Sequence, residues 1–243
     1  MRFAVVGDEP VGTAIREAGG DVVSADDAAA IDVVVAVGES AVTDAVFDTA
    51  WDCPVLPVDC GMPWSVPRLE LADAVSSVLA GDSWPVEHPI LSLSVGADHV
   101  GRALFDTMLV TSEPAHISEY GVAHIRPGAS VDAPLEETTA DDWATVDEFR
   151  ADGVVVATPL GSTGYARAAG GPVVGPDAGV AVVPVSPYAT QTDTWVYQPP
   201  LRLTVERDDT PVSLVVDDEV VCDVAPDDPV YITLDGTATL VSY

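Results

Sequence analysis

The order of strand and helix signals along the chain constrains its fold more than any other feature. At the start of the chain, apolar strand-type runs alternate with helical patterns, from the run Phe3–Val6 to a helix spanning 68–79. Such alternation is typical of an open α/β layer. From about residue 90 the pattern changes to short strands separated by turns, which favours antiparallel β structure. The sequence therefore predicts a small α/β domain over residues 1–84 and a β-rich, antiparallel sandwich-like domain over 85–243, whose last residues are candidates for packing back on the first domain.

Apolar runs bounded by turn residues set the limits of the individual strands. The proline-rich segment 82–89 predicts a crossing between the domains, and the acid-rich segment 126–142 predicts a surface insertion. The predicted strands include Val55–Val58, Arg102–Val110, Val154–Thr158, Val180–Val185, Val230–Leu234 and Thr237–Val241.

One turn in the second domain carries most of the chemistry visible in the sequence. The apolar run Val154–Ala157 leads through Pro159 into a short alanine-rich helical segment. The turn between them holds two glycines, two hydroxyl side chains and an aromatic ring: Gly161, Ser162, Thr163, Gly164 and Tyr165. Glycine permits a positive φ or close backbone approach, hydroxyls and free amides bind ribose or phosphate oxygens, and an aromatic ring stacks on a base. An ordinary capped turn has a similar composition, so the spacing alone leaves both interpretations open.

The same segment, read as a motif, resembles a known family. The pattern DG-x4-TP-x-GST-x-Y-x4-GGP over residues 152–172 closely resembles the second signature of the NAD kinase family, in the style of archaeal members. The resemblance extends over most of the chain. Residues 103–115 resemble the strand that carries the family's Asn-acid pair, 185–188 its Pro-aromatic turn, and 215–218 its Asp-Gly hairpin.

The resemblance implies a fold and a site. It implies a small α/β domain followed by a β-rich domain, with NAD in a cleft between them. The family is typically dimeric or tetrameric, and neighbouring subunits complete the NAD site, so a homo-oligomer is expected. The residues that match the family's binding positions are Gly38, Phe105, Asp106, Asp152, Thr158, Ser162, Thr163 and Tyr165.

The chain departs from the family pattern where phosphoryl transfer takes place. The family's Gly-Gly-Asp-Gly-Thr turn reads here as Val37-Gly38-Glu39-Ser40-Ala41. Glu39 keeps a carboxylate able to activate the ribose 2′-hydroxyl, but its extra methylene shifts that carboxylate by roughly an ångström, and misplacement of this size can cost about 100-fold in rate. If the turn requires a positive φ at Val37 and Ser40, each residue costs about 1–2 kcal/mol.

Two further departures affect the acceptor side. Phe105 stands where the family has an Asn, so its ring either stacks on a base or fills the pocket. Asp217-Asp218 adds an acid where the family has glycine, and two neighbouring carboxylates would repel a phosphate.

Composition constrains the surroundings of the protein. The chain has forty acidic residues and nine positively charged ones, all of them arginine, which gives a formal charge of −31. The 48% content of apolar residues argues against a disordered chain. Concentrated salt screens repulsion between so many carboxylates, so we expect the protein to work in the cytoplasm of a salt-accumulating halophile. Bare nucleic acid or an anionic membrane would repel the chain, and no apolar run is long enough to span a bilayer. The three cysteines and four histidines lack metal-ligand spacing, which favours buried free thiols and no metal site.

Three functions remain open. The first is an NAD kinase that uses ATP or polyphosphate with Mg²⁺, in which Glu39 is the catalytic base. The second is a pseudokinase that binds NAD(P) as a sensor or as a regulatory subunit of an active paralogue. The third is a kinase on the same scaffold that phosphorylates a lipid or a sugar.

Overall fold

The computed structural model describes residues 1–25, 31–48, 50–62, 64–113, 116–129, 134–189, 192–207, 211–226 and 228–243. The chain divides into two compact units. The first comprises Met1–His88 together with Thr237–Tyr243, and the second comprises Pro89–Gly236.

The first unit is an α/β layer built on parallel strands. Its elements are β1 (Arg2–Val6), α1 (Val11–Glu17), β2 (Asp21–Val22), β3 (Val33–Val37), α2 (Glu39–Phe47), β4 (Val55–Val58) and α3 (Leu71–Ala80). The strands lie side by side in the order β2-β1-β3-β4, and every pair is parallel. The C-terminal end of the chain joins the sheet, because Leu240 pairs in parallel with Val55 of β4.

Helix α3 illustrates how the sequence forms this layer. Its buried residues, Leu71, Ala74, Val75 and Val78, are spaced so that they share one face, which joins the same hydrophobic core as Phe3 and Val35. The helix ends at Gly81, whose φ of 77° is the left-handed conformation that glycine adopts without a steric penalty. A 3₁₀ turn, Arg68–Glu70, precedes it.

The second unit contains antiparallel strands in two sheets. In chain order they are β5 (Trp84–Val95, which begins in the first unit), β6 (Asp98–Ala103), β7 (Asp106–Thr111), β8 (Ser118–Ile125), β9 (Trp143–Ala151), β10 (Gly153–Ala157), β11 (Val180–Val185), β12 (Trp195–Tyr197), β13 (Leu201–Arg207), β14 (Val212–Val216), β15 (Glu219–Val224) and β16 (Val230–Ser242, which ends in the first unit). A short helix, α4 (Tyr165–Ala168), follows β10. One sheet has the order β12-β11-β10-β7-β14-β15, and β16-β13-β8-β9 are neighbours in the other.

The two sheets share one apolar core. Leu109 and Val154 from the first sheet belong to the same buried cluster as Tyr120, Leu203 and Val205 from the second. Buried and less buried residues alternate along β13, as expected for a sheet with one buried face. Every residue of β10 is buried, because Val155 and Ala157 belong to a second apolar cluster that includes Ala166 of α4. The second unit is therefore a β-sandwich.

Several boundaries differ from the sequence-based expectation. The single strand expected over 102–110 is two strands, β6 and β7, separated at Leu104 and Phe105. The two strands expected near the C-terminus form the single strand β16, because it has ladder partners on both sides of Gly236: β13 pairs at Ile232 and β4 at Leu240. The short strand β12 was not expected, and the proposed crossing over 82–89 lies largely within β5. The acid-rich segment 126–142 contains two 3₁₀ turns, and its residues 130–133 lie outside the described part.

Candidate functional site

Three segments that are distant in sequence meet at one end of the central strands of the six-stranded sheet. Strand β7 lies between β10 and β14, and both neighbours run antiparallel to it. Ala157 at the end of β10 pairs with Asp106 at the start of β7, and Val216 at the end of β14 pairs with Thr107. The turn after β10, the segment before β7 and the β14–β15 turn therefore lie together.

The turn after β10, called here the Gly161 turn (residues 158–165), packs tightly on the segment before β7. A Cβ atom added to Gly161 would lie 2.2 Å from the carbonyl oxygen of Phe105, so no other residue fits without movement of the backbone. Thr158 fixes the same contact, because its amide donates to the Phe105 carbonyl at 2.8 Å and its hydroxyl to the Leu104 carbonyl at 2.7 Å. Glycine is thus required at position 161 for close approach; neither Gly161 nor Gly164 has a positive φ.

The polar side chains of the Gly161 turn point in different directions. Ser162 is fully buried: its hydroxyl donates to the Pro159 carbonyl at 2.8 Å and accepts from the Val174 amide at 3.0 Å. Thr158 is also fully buried. Thr163 is half-buried, and Tyr165 is 53% exposed at the first position of α4. The hydroxyls of Thr158 and Ser162, which the sequence assigned to ligand binding, hold the turn together, whereas Thr163 and Tyr165 reach the surface.

Phe105 and Asp106 lie beside this turn. Phe105 is 8% exposed, so its ring lies largely in the interior of the protein. Whether this ring stacks on a base or fills the pocket stays open. Asp106 is half-buried and begins β7.

Asp217 has a role that the sequence did not reveal. Its carboxylate accepts three backbone amides, from Leu104 at 3.1 Å, Phe105 at 2.8 Å and Asp106 at 3.1 Å. Burial raises the pKa of Asp217, although these amides act in the opposite direction. Asp217 is therefore engaged by three backbone amides, whereas Asp218 is exposed; the expectation that these two carboxylates repel a phosphate stays a prediction.

Asp152 is not brought together with the other predicted binding residues. It precedes β10, whereas the Gly161 turn follows it, so six residue steps of extended chain separate Asp152 from Thr158, a distance of about 20 Å. Its carbonyl accepts from the Thr111 amide at 2.9 Å, and its amide donates to Val185 at 3.0 Å.

A groove of about 860 Å³ lies at this far end of β10. The guanidinium of Arg150 stands 5.7 Å from the ring centroid of Tyr188, and the Tyr188 amide donates to the Arg150 carbonyl at 2.9 Å. Both line the groove, together with the acidic residues Glu119, Asp147, Glu148 and Asp193. Sequence reasoning missed this groove because its residues come from three separated segments without a common motif.

In the first unit, β3 ends at a second turn, called here the Gly38 turn (residues 37–41). Gly38 has a φ of 90°, its amide donates to the Val58 carbonyl at 2.9 Å, and α2 begins at the next residue, Glu39. Among the described residues other than glycine, positive φ values occur at Asp59, Asp177, Ser186 and Asp217. The penalty expected at Val37 and Ser40 is therefore wrong, because Gly38 alone supplies the positive φ of this turn.

Glu39 is exposed at the first position of α2. One of its carboxylate oxygens lies 3.6 Å from the position that a Cβ of Gly61 would occupy. The carboxylate thus lies next to the turn that follows β4.

Carboxylates and an arginine are connected across this edge of the parallel sheet. Asp8 lies just beyond β1 and Asp59 directly follows β4, and Arg68 forms ion pairs with both, at 3.0 Å in the case of Asp59. The Arg68 amide and guanidinium lower the pKa of Asp59, and the two carboxylates raise the pKa of Arg68. Because β3 lies between β1 and β4, the Asp8–Arg68–Asp59 bridge crosses the carboxyl end of β3, where the Gly38 turn begins.

Metal-binding clusters, disulfides and membrane-spanning helices are the other features that bear on function. In the described ranges, no three His, Cys, Asp or Glu side chains are grouped to hold a metal ion. All three cysteines are free thiols; Cys60 is buried, whereas Cys53 and Cys222 are only partly buried. No helix within the described residues is long and apolar enough to cross a membrane.

Comparison with known sequences identifies several similar proteins. The family model described as the ATP-NAD kinase C-terminal domain matches residues 122–238. The NAD kinase of Methanopyrus kandleri is 30% identical over 216 residues, which cover 86% of this chain and 69% of that protein. The NAD kinase of Methanoculleus marisnigri is 32% identical over 190 residues, covering 76% of this chain and 64% of that protein.

Solved structures with a similar fold support the architecture. A crystal structure of yeast NADH kinase complexed with NADH superposes with a TM-score of 0.72 at 16% identity, covering 100% of this chain and 83% of that one. An NAD kinase from Archaeoglobus fulgidus in complex with ATP superposes with a TM-score of 0.67 at 20% identity, covering 99% and 93%. The predicted fold class, a small α/β domain followed by a β-rich domain, is confirmed.

Proposed function

Because the chain belongs to the NAD kinase family, we propose that it binds NAD or NADP through the Gly161 turn of its second unit and that it transfers phosphoryl groups poorly, if at all, at the Gly38 turn of its first unit. NAD kinase relatives and the NADH named in the yeast structure support a nicotinamide nucleotide as the ligand.

The observation that carries the binding proposal is the arrangement of the Gly161 turn. Thr158 and Ser162 are fully buried and bonded to the backbone, so the turn is fixed before any ligand arrives. Thr163 and Tyr165 remain accessible on this fixed turn. A preorganised turn loses little conformational entropy on binding, and an accessible aromatic ring and hydroxyl suit a base and a ribose. Asp106, at the adjacent strand start, is a further candidate contact.

The donor side offers much weaker support for phosphate chemistry. Arg68, a cation at the carboxyl edge of the parallel sheet, is already paired with Asp8 and Asp59. Glu39 adds a further exposed carboxylate at the same edge. Carboxylates repel the phosphates of ATP or polyphosphate, and an arginine held by two acids contributes little compensating charge. These features favour binding without efficient transfer.

Phosphoryl transfer by Glu39 is the second candidate function. It is favoured by the absence of strain at Val37 and Ser40 and by the exposed position of Glu39 at the head of α2. In this reaction Glu39 would accept the proton of the ribose 2′-hydroxyl. Mg²⁺ would be held mainly by the donor phosphates, whose negative charge it would neutralise.

A homo-oligomer would account for the position of Asp152. This residue and the Arg150–Tyr188 groove lie at the end of β10 away from the Gly161 turn. In a dimer or tetramer of the kind that the family resemblance implies, they would serve the nucleotide site of a neighbouring subunit. Light scattering of the purified chain would test this, because a monomer leaves Asp152 without that role.

The test of the proposed function combines binding and turnover in about 2–3 M KCl, where an acidic chain of this charge is screened. Calorimetry should detect NAD binding that Tyr165→Ala weakens and that Tyr243→Ala, the matched control in the first unit, leaves unchanged. NADP formation from NAD, ATP or polyphosphate and Mg²⁺ should be at background level. Turnover that Glu39→Gln abolishes would instead establish the second candidate, and absence of NAD and NADP binding would contradict the proposal.

A further inference from the structure

We propose that Asp217 is a positioning residue for nucleotide binding, which fixes the Gly161 turn through the segment 104–106 without touching the ligand. This inference rests on the proposed binding of NAD(P) at the Gly161 turn. Asp217 lies 52 positions beyond Tyr165 in sequence, in the turn between β14 and β15.

The carboxylate of Asp217 organises a segment that has no regular structure of its own. Leu104 and Phe105 separate β6 from β7, so their amides have no ladder partner. One carboxylate oxygen accepts from Phe105 and Asp106, and the other accepts from Leu104. A fourth bond, from the Asp217 amide to the Asp106 carbonyl at 2.8 Å, closes the connection. Hydrogen bonds to a charged acceptor are about twice as strong as neutral ones, so one side chain fixes three consecutive residues.

The fixed segment in turn holds the nucleotide-binding turn. Its Leu104 and Phe105 carbonyls accept the hydroxyl and amide of Thr158. The Phe105 carbonyl also lies against Gly161, where there is no room for even a Cβ atom. Any shift of the segment 104–106 therefore displaces the Gly161 turn, and with it Thr163 and Tyr165.

The conformation of Asp217 restricts which residues can replace it. Its φ is 50°, a left-handed value that aspartate, asparagine and glycine tolerate and that other residues adopt at a cost. Asparagine keeps this conformation and one acceptor oxygen, but its NH₂ group would face the Leu104 amide, donor against donor. Glycine keeps the conformation and loses all three bonds. The two variants therefore separate the carboxylate from the backbone conformation.

Asp218 provides a matched control. It occupies the next position of the same turn and is exposed. Asp218→Asn removes the same unit of charge from the same turn without removing any of the three amide bonds to Asp217. A general electrostatic effect on NAD binding would appear equally in Asp217→Asn and Asp218→Asn, whereas positioning would affect the Asp217 variants alone.

The experiment measures hydrogen–deuterium exchange, NAD binding and the free energy of unfolding of the full chain in high KCl. Asp217→Gly should weaken NAD binding by about 10-fold or more and Asp217→Asn by about 3-fold, reflecting the bonds lost. Asp218→Asn should change it by less than about 2-fold. In the absence of ligand, both Asp217 variants should exchange amide hydrogens faster than wild type in segments 104–106 and 158–163. The acceleration should be smaller in Asp217→Asn than in Asp217→Gly.

The outcomes separate this inference from the proposed function. Unchanged exchange at 158–163 in a folded Asp217→Gly would overturn the positioning role whether or not NAD binds. Wild-type protein that does not bind NAD, combined with accelerated exchange in Asp217→Gly, would remove the proposed function and leave the structural connection intact. Equal losses of NAD affinity in Asp217→Asn and Asp218→Asn would also overturn the inference, because the effect would then be one of charge.

Discussion

The Gly161 turn and the Gly38 turn both follow a strand and lead into a helix, yet they use glycine for different reasons. Gly161 is required because the Phe105 carbonyl lies where its Cβ would be. Gly38 is required by its φ of 90°, and a Cβ there would meet nothing within 4 Å. The first turn is packed into the protein, whereas the second has open space around its glycine.

The two turns also differ in the charged groups of their exposed residues. The Gly161 turn is held by buried hydroxyls bonded to the backbone, and its accessible residues are neutral. The Gly38 turn contains Glu39 and lies beside the Asp8–Arg68–Asp59 bridge. In this bridge two carboxylates pair with one guanidinium, so Arg68 already has anionic partners. This contrast underlies the proposal that the Gly161 turn binds a nucleotide and that the Gly38 turn binds phosphates poorly.

The largest effect is expected from Gly161→Ala. Because the new Cβ would collide with backbone rather than with a movable side chain, we expect the free energy of unfolding to fall by about 3 kcal/mol or more. Denaturant unfolding in high KCl would measure it. Gly170→Ala, at a glycine of φ 96° with open space, is the control, with an expected cost of about 1–2 kcal/mol. Equal losses in the two variants would mean that close packing does not define the Gly161 turn.

Ser162→Ala should produce the next largest effect. The substitution leaves the buried Val174 amide without an acceptor, which costs about 1–3 kcal/mol of unfolding free energy. Thr163→Ala is the matched comparison, and we expect its stability to stay within about 0.5 kcal/mol of wild type while NAD binding weakens. A stable Ser162→Ala that binds NAD poorly would reverse the roles assigned to these hydroxyls.

Gly38→Ala should cost about 1–2 kcal/mol, because a positive φ is unfavourable for alanine and no collision adds to it. Thermal unfolding of this variant beside Gly161→Ala would test whether the two turns differ as described. A loss at position 38 as large as that at position 161 would contradict the difference between them.

The smallest effect should come from Arg68→Gln, since its ion pairs are exposed to solvent. Arg68 lowers the pKa of Asp59 in the folded protein, so the stabilisation is present above the unfolded pKa and is lost as pH falls through the lowered folded value. The difference between wild type and Arg68→Gln should therefore shrink in acid. Arg167→Gln is the control, because it loses only a hydrogen bond to the Gly171 carbonyl. Its difference from wild type in free energy of unfolding should not change over the same acidic pH range. A constant difference for Arg68→Gln would remove its proposed coupling to Asp59.

The sequence predicted the regular parts of the fold well, because their signals are local. Val55–Val58 and Val180–Val185 are uninterrupted apolar runs, and the strands β4 and β11 have these bounds. The break between β6 and β7 was not predictable in this way. Its residues are apolar, and the carboxylate that holds their amides comes from Asp217, more than 100 positions away.

The same limit applies to the candidate site. Sequence motifs identified the Gly161 turn, but they could not separate Ser162, which is turned inward, from Tyr165, which is turned outward. The buried position of Ser162 depends on its contact with Val174, 12 residues further along the chain. They also grouped Asp152 with residues at the opposite end of its strand. Nor could they show that Arg68 joins Asp8 and Asp59, which lie 51 positions apart.

The contrast between the two turns is tested most directly by titrating the wild-type protein calorimetrically, in about 2–3 M KCl, first with NAD and then with ATP and Mg²⁺. We predict saturable binding of NAD and no detectable binding of ATP to either the free or the NAD-bound protein. Saturable ATP binding to the NAD-bound protein, followed by NADP formation, would contradict the account, because the Gly38 turn would then hold phosphates despite the carboxylates around it.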